Sequence, residues 1–302
     1  MCDTTKRIIF DSAQNNYISI LSQWPSFAKF APIQRFIELN LNTKNTYKYI
    51  PDECRSILQS VSAEFGAEAE KVFLRLVLLK STMTIIESNS LQEIPLRLKG
   101  HHYQQLLRIA NSKCCNDEWL DIDNDIFQKE LCITTLRLYT SGCQLIDVHC
   151  GLPRSILFKQ GIFKLPFFMV KFLCVGGFKP FFQIHMHLLT IDKFNEKERD
   201  ECYLCCVELY KLFPKALGMF AGSWFYDPEV TKISPHLAYL SQKPIKAGAF
   251  IMYTNTIKDP SNNALLKSNT RRQLFLNGKY TPKNFMLIWA KKNQIKWAKN
   301  YS

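Results

Sequence analysis

No apolar run in this 302-residue chain is long enough to cross a bilayer. The longest, LPFFMVKFLCVGGF at 165–178, is interrupted by Lys171 and falls short of the roughly 20 residues a spanning helix needs. The opening MCDTTKRIIFDSAQ carries no apolar stretch of signal-peptide length behind its charges. Eleven cysteines make an odd count, and several fall inside helical or strand-like patterns. Both observations lead us to expect reduced thiols and a cytoplasmic protein.

Acidic residues are missing from Pro260 to Ser302, where nine lysines and arginines account for nine of the thirteen net positive charges. That end is expected to present a positive surface to an anionic ligand, an acidic partner or a lipid surface. Trp289 and Trp297 interleave with its lysines, but no zinc finger, RNA-binding sheet motif or helix-turn-helix pattern accompanies them, which argues against nucleic acid. Also missing are internal repeats, a second Cys-x-x-Cys to complete a zinc site with CYLCC at 202–206, and a Gly-x-Ser-x-Gly elbow around Ser223. Asp121, Asp123 and Asp125 imitate a calcium loop, yet Ile126 stands where its sharp turn needs glycine and Cys132 replaces the closing glutamate. Helix capping by one of these aspartates is the expected use.

What is present falls into two regions. Residues 1–112 read as helical, with Pro51 suited to a first helical position and Gly66 to a turn between helices. A polar, acidic connection at 113–129 leads to residues 130–302, where strands and helices alternate. The expected fold class is α+β: a helical region, then a mixed, mostly antiparallel sheet with helices packed on it and a basic C-terminal end.

The strand FFQIHMHLL at 181–189 carries Gln183, His185 and His187 on one face and Phe182, Ile184, Met186 and Leu188 on the other, because side chains alternate along an extended chain. QLIDVHC adds Asp147 and His149 in the same spacing. Three imidazoles and a carboxylate suit zinc or non-haem iron. Without metal, His185 or His187 suits a general base, since imidazole titrates near neutrality. Local hydrogen bonding of each histidine is the plain structural alternative. Trp224 and Tyr226 of GSWFYDPEV could wall a substrate pocket, with Ser223 letting the backbone approach a substrate closely and Gln183 also binding it, while Asp227 before Pro228 reads as a helix cap. Lys267 and Arg271 are one helical turn apart and, with Arg272, could receive a phosphate. Six phenylalanines between 158 and 178 mix with Lys159, Lys164, Lys171 and Lys179, with Phe168 and Phe172 sharing a helical face. This reads as an anionic membrane surface contact, an apolar entrance, or a core helix with outward lysines.

From about 180 to 254 the order strand, helix, strand, short helix, strand resembles the second half of the GCN5-related N-acetyltransferase fold, most closely in PHLAYLSQKPIKAGAFIMY. The resemblance implies acyl coenzyme A or another acyl donor. In that family a glycine-rich turn after the first of these strands grips the pyrophosphate. Here TIDKFNEK stands in its place, so Asp192 and Glu196 must be neutralised before a phosphate can approach. Three readings follow: an acyltransferase-type enzyme acting on a small amine or hydroxyl substrate, an iron or zinc enzyme built on Asp147, His149, His185 and His187, and a non-catalytic protein that docks through its basic face.

Overall fold

The computed structural model describes residues 2–27 and 32–301. It is α+β, and the chain divides into two compact units. The first comprises Met1–His149 with Met186–Lys193, and the second Cys150–His185 with Phe194–Ser302. The division therefore falls at 149/150, beyond the expected connection at 113–129, and the chain returns once to the first unit.

In the first unit the helices are α1 (Cys2–Gln23), α2 (Ile33–Leu41), α3 (Asp52–Phe65), α4 (Ala67–Glu87), α5 (Leu96–Ala110) and α6 (Asp125–Thr134). Helix α4 is the centre of this unit. Its residues are apolar nearly all the way round, and Val72, Phe73, Leu76 and Leu79 are all buried, as expected of a helix surrounded by others. Arg75 is the exception within it. Its guanidinium reaches Asp117 and the Cys114 carbonyl, both at 2.8 Å, and lies 4.9 Å from the Trp119 ring. The acidic connection thus supplies the charge that lets α4 bury an arginine. The cap of α6 is Asn124, which accepts from the Ile126 amide at 2.9 Å, rather than one of the aspartates. Asp125 instead holds Tyr47 and Lys129.

An antiparallel hairpin, β1 (Leu138–Ser141) and β2 (Gln144–Asp147), completes this unit. Its two-residue loop begins at Gly142 with φ +59°, the position where a tight hairpin turn of this kind calls for glycine.

The second unit holds helices α7 (Ser155–Phe158), α8 (Leu165–Cys174), α9 (Glu196–Leu209), α10 (Pro228–Ile233), α11 (Tyr239–Lys246), α12 (Asn263–Leu266), α13 (Asn269–Leu276) and α14 (Lys291–Ala298). Its strands are β3 (Phe182–Met186, whose last residue belongs to the first unit), β4 (Gly218–Ser223), β5 (Phe250–Thr256) and β6 (Lys283–Ala290), in the spatial order β3-β4-β6-β5. β3 and β4 are parallel and joined by α9, while the β4–β6 and β6–β5 pairs are antiparallel. The observed order strand, helix, strand, helices, strand matches the order expected from the sequence. One face of the sheet packs Phe220, Met252 and Ile288 against Phe172 and Phe181. Leu287 and Trp289, alternating with these on β6, are also fully buried. At Gly218 a Cβ would lie 2.3 Å from the Trp289 carbonyl oxygen and 2.7 Å from the Phe181 ring. No larger residue fits where β4 meets β6.

Asn195 caps α9 by accepting from the Glu198 amide at 3.0 Å, and Asp227 caps α10 by accepting from the Glu229 amide at 3.1 Å. Both caps were legible as residue types before a helix start. Among the described residues no helix is long and apolar enough to cross a membrane.

Candidate functional site

The expected alternation along 181–189 holds only to Met186, where β3 ends and a short 3-10 segment, Leu188–Lys193, takes over. His187 is fully buried and Leu188 is 47% exposed, the reverse of the expected pattern. His187 anchors the turn in the first unit. Its amide donates to the Cys143 carbonyl at 2.9 Å, its Nδ1 accepts from the Leu189 amide at 3.3 Å, and its Nε2 lies 2.5 Å from Glu130 Oε1. With Nδ1 accepting, Nε2 carries the proton and donates it to the carboxylate. No lone pair remains to take a proton from a substrate, so the expectation of His187 as general base is corrected.

Glu130 comes from α6 and is 1% exposed. Its Oε1 also accepts from Arg108 of α5 at 2.5 Å, and Arg108 bonds Gln105 Oε1 at 2.8 Å. Burial alone would raise the Glu130 carboxyl. The hydrogen bond from His187 and the charge of Arg108 outweigh it, and the net direction is down. Sequence reading missed this acid, whose only signal is one glutamate inside the apolar run IFQKELCI.

His102 of α5 lies in the same unit, 1% exposed, with Nδ1 3.3 Å from Thr140 Oγ1. Burial lowers its pKa to about 4, against the smaller opposing effect of the Ile133 backbone. An unfolded histidine titrates near 6.5. The unfolded chain therefore takes up a proton that the folded one refuses, and stability present above pH 6.5 is lost as pH falls towards 4. The expected loss is about 3 kcal/mol. Urea unfolding from pH 7 to 4 should show this decline in the wild type and lose most of it in His102→Gln. An unchanged slope in the variant would remove His102 from the account.

The proposed metal ligands are not assembled. Asp147 is fully buried, but its Oδ1 accepts from the His149 amide at 2.9 Å and its Oδ2 from the Tyr47 amide at 3.0 Å. The carboxylate thus closes a backbone turn. Burial lowers the pKa of the half-buried His149, with Asp147 opposing. The ligand atoms of Asp147, His149 and His187 do not gather within 4.8 Å of one another.

The other candidates in the second unit also have structural occupations. Gln183 accepts from Cys150 Sγ at 3.3 Å. Ser223 accepts from the Phe225 amide at 3.3 Å. Tyr226, 2% exposed, accepts from the buried Arg199, so it cannot form a pocket wall with Trp224. Trp224 instead lies under the Arg271 guanidinium at 4.5 Å. Arg271 itself is 3% exposed and donates to the Ala264 carbonyl at 2.6 Å and to Ser234 Oγ at 2.7 Å. The helix expected to align it with Lys267 breaks between Leu266 and Asn269, leaving Lys267 and Arg272 exposed and Arg271 inside. The phosphate-receiving set is therefore corrected to a buried, structural arginine. Cys202, Cys205 and Cys206 are all buried, and burial raises the Cys206 thiol well above its ordinary value, which makes it a packing group rather than a nucleophile.

Two features of the second unit remain open to a ligand. Parallel β3 and β4 pair over only two rungs, Phe182 with Met219 and Gln183 with Phe220. β4 nonetheless continues against β6 to Ser223. Past the second rung β3 and β4 form no further paired rung. His185, half-buried, stands on β3 beyond it, and on β4 a Cβ built at Gly222 would meet nothing within 4 Å. Carboxyl ends of parallel strands are where open sheets most often receive ligands. The second feature is a cavity of about 790 Å³ whose lining includes Glu196, Tyr239, Lys243, Lys246, Asn293 and Lys296. Glu196 and Asp200, at the start of α9, each sit 2.6 Å from Lys243. Lys243 offsets only one of these two carboxylates, and Lys246 and Lys296 in the same lining supply the positive charge that outweighs the other. The chain matches no family model, no curated protein and no solved structure.

Proposed function

We propose that the chain is an acyltransferase-type enzyme that passes an acyl group from an anionic donor, acyl coenzyme A being the leading candidate, to an amine or hydroxyl of a small substrate. The observation that carries this reading is the end of β3–β4 pairing after two rungs while β4 runs on to Ser223. It leaves strand edges at the carboxyl end of a parallel pair, where an extended, amide-containing donor arm can add main-chain hydrogen bonds in the manner of an added strand. The basic cavity beside α9, with Lys246 and Lys296, supports an anionic donor.

His185 is the proposed general base, since it stands on β3 just past the last rung. It would take the proton of the attacking amine or hydroxyl as the new bond to the acyl carbon forms and the donor thiolate leaves. A panel of acyl donors should raise the melting temperature saturably with at least one member. With that donor and a responsive acceptor, His185→Ala should lower kcat about a hundredfold with little change in donor KM, while Lys246→Glu with Lys296→Glu should raise donor KM. No shift across the panel would end the reading.

A further inference from the structure

Between Asp147 and Asp192 the chain contains no acidic residue, while Arg154, Lys159, Lys164, Lys171 and Lys179 all fall there. Helix α8 buries one side, with Phe172 at 1% exposure and Phe168 packed against the same core. The other side has no cover. Phe158, Ile162, Phe163, Phe167, Val170 and Leu173, six large apolar side chains within sixteen residues, are each more than half exposed, and Phe163 reaches 97%. Scattered exposed leucines are ordinary, but a contiguous apolar patch rimmed by charge of one sign marks a surface that meets something.

The charge identifies the partner. Lys171 Nζ lies 4.5 Å from the Phe167 ring centroid and the Arg154 guanidinium 5.3 Å from that of Phe178, so cationic ends stand beside the aromatic face rather than apart from it. Lys159 and Lys164 join Lys283 around a cavity of about 400 Å³. Gln160 holds its floor by pairing both ways with the Tyr253 backbone, at 2.8 and 3.0 Å. Lys159 and Lys164 have no ion-pair partner among the described residues, while Lys283 lies beside the buried Asp227, whose carboxyl burial raises and Lys283 lowers. Uniform positive charge around exposed phenylalanines complements a uniformly negative, apolar-cored surface. At ten residues α8 is too short to span one.

We infer that the exposed face of residues 154–179 docks on an anionic lipid bilayer. Helix α8 lies in the interface with Phe163, Phe167, Val170 and Leu173 entering the acyl region. The basic side chains extend to lipid phosphates, and the cavity of Lys159, Lys164 and Lys283 receives one headgroup. This inference stands apart from the acyltransferase reading, and its test uses no acyl donor.

Full-length protein should co-sediment with phosphatidylcholine vesicles containing about 30% phosphatidylserine roughly tenfold more tightly than with phosphatidylcholine alone, and should be released by about 0.5 M NaCl. The double variant Phe163→Glu with Phe167→Glu should lose roughly tenfold or more of that binding while unfolding at the wild-type temperature, because both side chains are exposed. Lys159→Glu with Lys164→Glu should remove the preference for phosphatidylserine. Failure to sediment with any vesicle, or wild-type binding by the phenylalanine variant, would overturn the inference. So would a concentration-dependent dimer in vesicle-free solution that the phenylalanine variant abolishes, since the face would then belong to a second copy of the chain.

Discussion

Replacing Glu130 with alanine is expected to destabilise the fold by about 3–5 kcal/mol, the range seen when one partner of a buried ion pair is removed and the others stay. The carboxylate is 1% exposed and receives both the His187 Nε2 hydrogen and Arg108 at 2.5 Å. Without it the imidazole N–H has no acceptor, and Arg108, whose side chain is 29% exposed, keeps its charge with only Gln105 and residual water to hold it. Glu130→Gln retains the shape and one acceptor oxygen, and should cost less, about 1–3 kcal/mol. The same group gives the fold an acid limit. Its carboxyl is held below the ordinary value, burial opposing but His187 and Arg108 prevailing. Its contribution is therefore complete above the unfolded value, near 4.3, and is lost as pH falls through the folded one. That window opens at the acid end of the 6.5-to-4 window of His102, so His102→Gln removes the upper part of one urea-against-pH curve and leaves the Glu130 part. Wild-type stability in both Glu130 variants at pH 7 would show that the cluster is dispensable.

The fold was more legible than the site. Helices α2, α3 and α4 follow from apolar spacing, and Gly66 ends α3 as expected, while Pro51 stands as the cap residue just before α3 rather than at its first helical position. The caps Asn195 and Asp227 follow from side chains that can accept an amide hydrogen one turn ahead. The order of elements from 180 onward follows from period and turn residues, whereas the sequence at 138–147 fits one bent strand as well as the hairpin that forms. These are local rules, and local sequence carries them.

The candidate site failed where the rule needed a neighbour. His187 looks the same as His185 in FFQIHMHLL, and only the end of β3 at Met186 separates a half-buried strand residue from a fully buried turn residue. Asp147 and His149 have metal-ligand spacing, yet the carboxylate is spent on the amides of Tyr47 and His149, and Tyr47 is a hundred residues away in sequence. Arg271 reads as a surface cation on a helix, but the break at 267–268 turns it inward over Trp224. The salt bridge of Lys243 with Glu196 and Asp200 joins residues more than forty apart. No single-sequence period reports such a pairing. Charge counting did find the acid-free stretch from Pro260 to Ser302, because the absence of a residue type is visible without a fold.

Trp289→Ala should cost about 3–5 kcal/mol, the range for removing a large buried aromatic side chain. The indole is fully buried on β6, opposite Met219 of β4. It meets Tyr203 and Trp297 edge-on at 5.1 and 5.3 Å, and its Nε1 donates to the Ala247 carbonyl at 3.1 Å. Tyr203 is tied in turn, its hydroxyl accepting from Arg199 at 2.8 Å and its carbonyl from Gln294 at 3.1 Å. Trp289 thus joins β6 to α9, α11 and α14 at once, and its loss removes packing from three helices. Trp289→Phe separates the two contributions: it keeps much of the apolar area but leaves the Ala247 carbonyl without its donor, for about 1–3 kcal/mol. A double-mutant cycle with Trp297→Ala should give a coupling of about 0.5–1.5 kcal/mol from the edge-on pair. β6 also holds Gly222 opposite Met286 and Ser223 opposite Phe285, which keeps the last residues of β4 extended where β3 no longer pairs with them. Trp289→Phe should therefore stay folded at ordinary temperature, while Trp289→Ala should unfold there. A Trp289→Ala protein of wild-type stability, read by urea unfolding, would mean that the indole is not the hinge-pin of this unit.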